Sequence, residues 1–489
     1  MEPLPAPGPT SVRITGDYYQ WLTVWEGCLT VLRENATRSV NPVQSVGVEL
    51  DDVGNLDDVV LLRRTPPHTY TQVKYTVDSA TPVNEEYLTK PSKSGGPSLL
   101  EKIAKAWRKL SKDCTAVDLV LLTNRAPDPD DPMMSVRDSR TQLLMPKAGL
   151  NGPGSKLGSA RTRWAKAAEV TEEELGELLS ALRFDVARDL THFQGYLRLL
   201  MDAAGLRHDE QAMTMGADWV AKQVREGRRT LTVDMVRSAV DTLGLKAGPA
   251  RAVLSIATLK PDPLAEDADH AIDWIDRFEG SSEFSKRRPL LPATWAQLQA
   301  DIQASRGRLP PGSSAVSLTG SVRLAPAFLV GAVFRKVTGM EVAVLQNGWL
   351  WSSTDSYDTS ETPAVQEHLL NQGGELAVAI AVATDPTQDV LDYLRDQRVP
   401  VARLLVLTPP AGPGHASVPD GAAANALAVG IRDTLRRASR TTPRIHLFQA
   451  GPMGLSLLLG HSWNRLQPTV VYEDARTEQG YEAAFTVDA

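Results

Sequence analysis

The chain has very little of several residues that mark whole classes of protein. Its two cysteines, Cys28 and Cys114, exclude a disulfide scaffold and a multi-cysteine metal site. Its eight histidines show no metal-ligand spacing. The longest apolar runs are shorter than the roughly 20 residues a membrane helix needs, and the first residues have neither the basic nor the apolar region of a secretion signal. We therefore expect a soluble, cytoplasmic protein without membrane contact.

The chain also lacks a strong excess of either charge. Its 59 acidic and 52 basic side chains give a net charge of −7, so any contact with nucleic acid must come from a local basic surface. Hydrophobic residues make up 42% of the chain, which is enough for packed cores and excludes a disordered chain. A length of 489 residues predicts about three domains.

Composition divides the chain into three predicted domains, at residues 11–160, 161–280 and 290–489. The first alternates helical and strand patterns and ends in Pro-, Asp- and Gly-rich loops. The second is helical almost throughout, with the spacing of a capping box from Thr171 to Glu174. The third alternates strands and helices, which predicts a largely parallel sheet with helices on both faces. The fold class is therefore α/β and multidomain.

The first domain has the predicted element order α-β-β-β-α-β. A helix with Asp17 as a candidate N-cap is followed by three strand patterns, then by a helix and a buried strand. The strand patterns cover residues 46–50, 57–62 and 70–77.

Polar side chains interrupt these three strands at defined places. Glu49 lies on the face opposite its apolar neighbours, and Asp57 and Asp58 come directly before an apolar strand. Gln72 and Lys74 share one face by the two-residue period of a strand. Carboxylate and amide oxygens suit a divalent ion, and a lysine beside them can offset charge on a phosphate. Singly, each residue has a simpler explanation as a turn or a solvated face, but their arrangement favours a nuclease site.

This order and these residues resemble the restriction-endonuclease-like fold with its PD-(D/E)xK motif. The resemblance implies that Asp58 is the motif aspartate, that Gln72-Val73-Lys74 is the tripeptide in its QxK form, and that Glu49 is the acidic residue of the preceding strand. The catalytic group is then Asp57, Asp58, Glu49, Gln72 and Lys74, with Asp58, Gln72 and Glu49 holding Mg²⁺ or Mn²⁺. A neutral glutamine removes one formal charge, so the number of metal ions stays open. A basic helix face beside the site, able to bind phosphates, comprises Lys102, Lys105, Arg108, Lys109 and Lys112.

In the third domain, apolar strands repeatedly run into small polar residues. Ligands of an open parallel sheet bind at the carboxyl ends of its strands, which indicates a Rossmann-like domain that could bind a nucleotide. Candidate ligand-binding residues at strand ends are Thr319, Thr384, Thr408, Gln449 and Gly451. Two further candidates, Trp349 and Trp351, could stack on a base, and Arg323 could meet a phosphate.

Segments 324–331, 446–455, 459–461 and 468–473 together resemble a SAVED domain. The resemblance implies two fused CARF-like Rossmann folds that sense a cyclic oligonucleotide second messenger. With the QxK head, the whole chain resembles the nuclease–SAVED effectors of bacterial CBASS anti-phage immunity.

The resemblance implies an endonuclease that degrades double-stranded DNA when a cyclic di-, tri- or tetranucleotide binds, through a ligand-induced homo-oligomer, giving abortive infection. One alternative is a non-catalytic, cyclic-nucleotide-responsive DNA-binding regulator. Another is a nuclease that acts on RNA or single strands. The base identity, ring size and linkage of the messenger stay open.

Overall fold

The computed structural model describes residues 9–36, 39–92, 95–112, 116–144, 152, 154–476 and 480–488. The chain folds into two compact units, Met1–Pro249 and Ala250–Ala489. The three predicted domains stay a prediction. In the described residues, no helix is both long enough and apolar enough to cross a bilayer. Cys28 is buried and unbridged, and Cys114 lies outside the described residues.

The first half of unit 1 follows the predicted order with one additional short helix. Its elements are α1 (Pro9–Ala36), β1 (Val43–Gly47), β2 (Val59–Arg63), β3 (His68–Lys74), α2 (Glu85–Thr89), α3 (Leu99–Leu110) and β4 (Val117–Thr123). Asp17 lies inside α1 and does not begin it, so that prediction was wrong. Helix α3 begins at a capping box of Ser98 and Glu101 and buries Ile103 and Trp107.

The second half of unit 1 is helical but also completes the same sheet. Its elements are α4 (Lys156–Ala167), α5 (Glu172–Ala181), β5 (Leu182–Asp185), α6 (Leu190–Ala203), α7 (Glu210–Arg225), β6 (Thr230–Thr232) and α8 (Val233–Thr242). The predicted capping box at Thr171 and Glu174 is confirmed. The strand order is β5-β4-β3-β2-β1-β6, so β5 and β6 form its two edges. The helical second half of unit 1 therefore shares one sheet with the first half.

The pairing of these strands determines where the predicted nuclease residues lie. Strands β1, β2 and β3 pair antiparallel, and β3, β4 and β5 pair parallel. Strand β1 ends at Gly47, two residues before Glu49, so the prediction of a strand over 46–50 was wrong. Glu49 has a φ of 47°, and the N–H of Val48 donates to the Arg229 carbonyl at 2.8 Å. Glu49 thus follows the strand in a left-handed conformation.

Unit 2 contains two sheets whose central strands are parallel. Its elements are β7 (Ala252–Ala257), β8 (His270–Asp273), α9 (Trp295–Ser305), β9 (Ala315–Thr319), α10 (Leu324–Val333), β10 (Glu341–Gln346), β11 (Trp349–Ser352), β12 (Ala364–Leu369), β13 (Glu375–Ala381), α11 (Thr387–Asp396), β14 (Val401–Thr408), α12 (Gly421–Ala438), β15 (Ile445–Ala450), α13 (Met453–Ser462), β16 (Thr469–Asp474) and β17 (Tyr481–Val487). The two strand orders are β11-β10-β9-β7-β8 and β12-β14-β13-β15-β16-β17. Only β11, β12 and β17, each at an edge, pair antiparallel in the described part of this unit. The predicted Rossmann-like, largely parallel architecture is confirmed.

Helices α10 and α13 join the core of unit 2 at close range. Nearly every residue of both helices is buried, and most of these residues are apolar. A Cβ on Gly331 would overlap the carbonyl oxygen of Leu457, and one on Gly460 would overlap that of Phe328. The two glycines therefore permit backbone-to-backbone packing that no other residue allows.

Candidate functional site

The candidate site in unit 1 begins with a hydrogen-bonded contact between strands β2 and β3. Asp58 immediately precedes β2, and the register pairs Val59 with Thr71. Its Oδ2 accepts from the backbone N–H of Val73 at 2.7 Å and from Nε2 of the buried Gln72. Donation by Nε2 leaves Oε1 of Gln72 as the acceptor of that amide.

Lys74 shares the face of Gln72 and interacts electrostatically with Asp58. Burial lowers the pKa of Lys74, Asp58 opposes this, and the neighbouring Lys102 of α3 lowers it further. Burial likewise raises the pKa of Asp58, and Lys74 opposes that shift. Each residue thus responds to the charge of the other, as expected if the two face one space.

Asp57 interacts electrostatically both with Lys74 and with the ion pair of Glu49 and Arg229. Burial raises its pKa, and so does Glu49, whereas Lys74 and Arg229 lower it. Asp57 therefore lies where the fields of all three side chains meet.

Glu49 is held by partners that the sequence did not indicate. Its Oε2 pairs with Nη1 of Arg229 at 3.3 Å, and its Oε1 accepts from Nε2 of Gln20 at 3.4 Å. Nη1 of Arg229 also donates to the Glu49 backbone carbonyl. The structure thus shows Glu49 as an ion-pair partner of Arg229.

The oxygen donors fit a hard divalent cation. Asp57 and Asp58 supply carboxylates and Gln72 supplies a carbonyl, and Mg²⁺ typically takes one or two carboxylates and completes its shell with water and substrate phosphate. In the part of the chain that the structure describes, no three His, Cys, Asp or Glu side chains cluster as a metal cage.

The basic face of α3 is largely paired with acidic side chains. Lys105 pairs with Glu101 and Glu169, Arg108 with Glu174, and Lys109 with Asp52. Lys102 is the member of this face that influences Lys74.

A cavity of about 840 Å³ in unit 2 lies at the carboxyl ends of β13 and β15. Four of the predicted ligand-binding residues line it, namely Arg323, Thr384, Gln449 and Gly451. Side chains that were not predicted to bind the ligand also line it, among them Arg287, Arg476, Tyr393, Tyr481 and Glu473. They share no sequence signal, because Glu473 and Tyr481 lie within strands, Tyr393 lies on a helix, and Arg287 and Arg476 lie in loops.

A second cavity of about 270 Å³ shares Ala383 and Gly451 with the lining of the first. Trp349 and Trp351 both line it, but only Trp349 is exposed, since Trp351 packs against Gly454 in the core.

Thr319 and Thr408 line neither cavity. Thr319 is buried and donates its hydroxyl to Asp262, and Thr408 is the last residue of β14 beside the antiparallel β12.

Residues 297–487 match the SAVED family, the SMODS-associated and fused to various effectors sensor domain. The SAVED resemblance is thus confirmed, and both cavities lie mainly within the matched residues. Strands β7 and β8 precede the match but belong to its first sheet.

The wider similarity covers nearly the whole chain. Over 471 residues the chain is 22% identical to CD-NTase-associated protein 4 of Enterobacter hormaechei subsp. hoffmannii, covering 90% of this chain and 92% of that protein. The Acinetobacter baumannii Cap4 SAVED/CARF-domain containing receptor with the cyclic trinucleotide 2'3'3'-cAAA overlays at a TM-score of 0.40, with 11% identity and 100% of both chains covered. The Moraxella osloensis Cap4 receptor overlays at 0.38, with 13% identity over 97% of this chain and 99% of that one. TM-scores this low establish neither the fold nor the site of this chain.

Glu473 makes the stability of the SAVED domain sensitive to pH. It is 4% exposed, its Oε2 accepts from the N–H of Ala325 at 2.9 Å, and burial raises its pKa to about 7, against the opposing effect of that N–H and of Arg323. Because the folded chain favours the protonated acid, this group's contribution to stability falls as pH rises from about 4.5 to about 7 and then stays constant.

Glu473→Gln stays neutral and keeps an oxygen for the Ala325 N–H. We expect the free energy of unfolding of this variant, minus that of wild type, to increase with pH between about pH 5 and pH 8. The difference should reach on the order of 3 kcal/mol at most. Denaturant titrations of both chains at several pH values measure the difference. A difference that does not change with pH would show that Glu473 is not the titrating group.

Proposed function

We propose that the chain is a CBASS effector, a metal-dependent endonuclease that degrades double-stranded DNA when a cyclic oligonucleotide binds its SAVED domain. The nuclease proposal is supported by the arrangement at β2 and β3, where Asp58 is hydrogen bonded to Gln72 and interacts electrostatically with Lys74. The observation that carries the sensor is the SAVED match at residues 297–487.

In this proposal, Asp57, Asp58 and Gln72 hold Mg²⁺ or Mn²⁺ through their oxygens. The bound ion would polarise the scissile phosphate and lower the pKa of a water molecule. Lys74 then donates hydrogen bonds from its protonated Nζ to the attacking water or to a non-bridging phosphate oxygen, and its charge offsets the charge that develops there. Burial lowers the pKa of Lys74, and the Asp58 carboxylate opposes that shift and so favours the protonated lysine. The SAVED domain has no part in this chemistry.

The cavity of about 840 Å³ is the proposed messenger site. It falls in the range of small-molecule sites, and Arg287, Arg323 and Arg476 on its lining can meet phosphodiester oxygens. The adjoining cavity beside the exposed Trp349 can take a base by stacking. Thr384, Gln449 and Gly451 complete the proposed contacts.

Messenger binding switches the nuclease only if the messenger binds the active state more tightly than the resting one. We propose that the active state is a homo-oligomer, because gathering several nuclease heads on one duplex raises their local concentration.

One observation favours the alternative of a non-catalytic regulator. Glu49 is engaged by Arg229 and Gln20, and the described residues contain no three-acid metal cluster. A head of this kind could bind DNA without cutting it.

A plasmid assay separates the two functions. We expect full-length chain with Mg²⁺ to degrade supercoiled plasmid only when an activating member of a cyclic di-, tri- and tetranucleotide panel is present, and EDTA to abolish the activity. Parallel reactions on single-stranded DNA and RNA test the substrate. If a cyclic oligonucleotide binds but no substrate is ever cut with Mg²⁺ or Mn²⁺, the regulator is the better description.

A further inference from the structure

Arg229 reaches the candidate nuclease site from the far edge of the sheet. It stands in the turn between α7 and β6, and β6 pairs antiparallel with β1. Its carbonyl accepts from the N–H of Val48 at 2.8 Å. The backbone of Arg229 is thus fixed beside Glu49 by the same sheet that carries Asp58 and Gln72.

The guanidinium of Arg229 is only partly used. Nη1 contacts the carbonyl and Oε2 of Glu49, and Gln20 holds the other carboxylate oxygen. In the described part of the chain, Nε and Nη2 have no hydrogen-bond partner, and the side chain is 40% exposed. The arginine is therefore oriented by Glu49 while part of its donor fork faces outward.

The charges around Arg229 point to a phosphate as its missing partner. Arg229 lowers the pKa of Asp57, so its charge is felt at the proposed metal ligands. Asp57, Asp58 and Glu49 would by themselves repel a polyanion. Lys74, Lys102 and Arg229 are all partly exposed, and the side chain of Arg229 is 40% exposed, so a phosphate can reach it from solvent.

We propose that Arg229 binds a DNA phosphate next to the scissile one, with Glu49 as the residue that orients it. The inference rests on the proposed function, since it names how that site holds its substrate. Two outward N–H groups of a guanidinium match two oxygens of one phosphate, and such a charge-assisted pair holds both position and angle. In this role Glu49 orients Arg229 for phosphate binding and does not bind the metal ion.

The test measures DNA affinity separately from cleavage. Full-length wild type, Arg229→Gln and Arg229→Lys are titrated with a short labelled duplex in EDTA, over a range of salt. We expect Arg229→Gln to bind about tenfold more weakly and to reduce the slope of log K against log salt by about one. Arg229→Lys should restore the slope and only part of the affinity, because it keeps the charge and loses the fork.

Arg228→Gln is the matched control. Arg228 is the neighbouring residue, but it pairs with Glu226 at 3.2 Å and with Gln223 at 2.8 Å, so we expect wild-type affinity and slope. With Mg²⁺ and the activator found in the plasmid assay, Arg229→Gln should raise KM for DNA more than it lowers kcat.

An Arg229→Gln chain with wild-type melting temperature, affinity and slope overturns the inference while the nuclease proposal stands. Loss of affinity that Arg229→Lys does not partly recover, together with a lower melting temperature, also overturns it, because the role is then structural. A wild type that neither binds nor cuts DNA overturns the proposed function itself.

Discussion

Lys74→Met should abolish DNA cleavage by the activated chain and leave cyclic oligonucleotide binding unchanged. Removing one donor that stabilises transition-state charge typically costs about 10²–10³ in rate, and Lys74 both shares the face of Gln72 and interacts with Asp58. Methionine keeps most of the buried stem, so the strand should still pack. Initial rates on supercoiled plasmid and calorimetric titration of the messenger give the two readouts.

Asp58→Asn tests the same site from its acidic side. The asparagine can still accept from the Val73 N–H, so the fold should survive, but it removes a metal-binding charge and we expect a loss of cleavage at least as large. Lys90→Met is the matched control for Lys74→Met, because Lys90 is exposed at the end of α2 and pairs with Glu86 at 2.7 Å. Cleavage at near wild-type rate by either site variant would refute the proposed catalytic group.

The residues of the proposed catalytic group could be predicted because short-range sequence patterns indicate them. Asp58 is recognisable as a carboxylate before an apolar strand, and the two-residue period places Gln72 and Lys74 on one face. The pairing of β2 with β3 then needs only a short connection of residues 64–67. In the structure Asp58 is hydrogen bonded to Gln72, and Lys74 interacts electrostatically with Asp58.

The environment of Glu49 could not be predicted in the same way. Its partner Arg229 is 180 residues away along the chain and directly precedes a strand of three residues, which is too short to show a period. The left-handed backbone of Glu49 also breaks the alternation that placed it on a strand face. Long-range pairing and a single unusual φ leave little trace in a sequence.

The same limit applies to the edges of the sheet in unit 1. Strand β5 has four residues and β6 has three, so the sequence of the helical region did not reveal that it completes this sheet. Strands β7 and β8 are separated from β9 by loops and α9, and only their parallel pairing assigns them to unit 2.

In unit 2, the rule that ligands bind at strand ends predicted residues on one side of the cavity of about 840 Å³. Thr384, Gln449 and Gly451 lie there because β13 and β15 are neighbours. The rule could not distinguish Thr319, whose hydroxyl is already used by Asp262.

Arg323→Gln should raise the messenger concentration needed for half-maximal cleavage by about 10- to 100-fold. The cavity lining contains more acids than arginines, including Asp385, Asp389, Glu473 and Asp474, so an anionic messenger depends on the few cations there. Hydrogen bonds to charged groups contribute about 1.5–3 kcal/mol, which corresponds to this range. Glutamine can still donate to the Lys286 carbonyl that Arg323 holds in the structure.

The decisive feature of this experiment is rescue at high messenger concentration. A variant that has lost only a phosphate contact should reach the wild-type maximal rate once the messenger saturates it, because its nuclease head is intact. Arg403→Gln is the matched control, since Arg403 pairs with Glu367 on β12, away from the cavity lining, and should respond like wild type. An unchanged half-maximal concentration in Arg323→Gln would exclude Arg323 as a messenger contact. A variant that no concentration rescues, with a lowered melting temperature, would show that Arg323 serves the packing of α10 and the Lys286 segment. The shift without loss of maximal rate is therefore the result that assigns the cavity to the messenger.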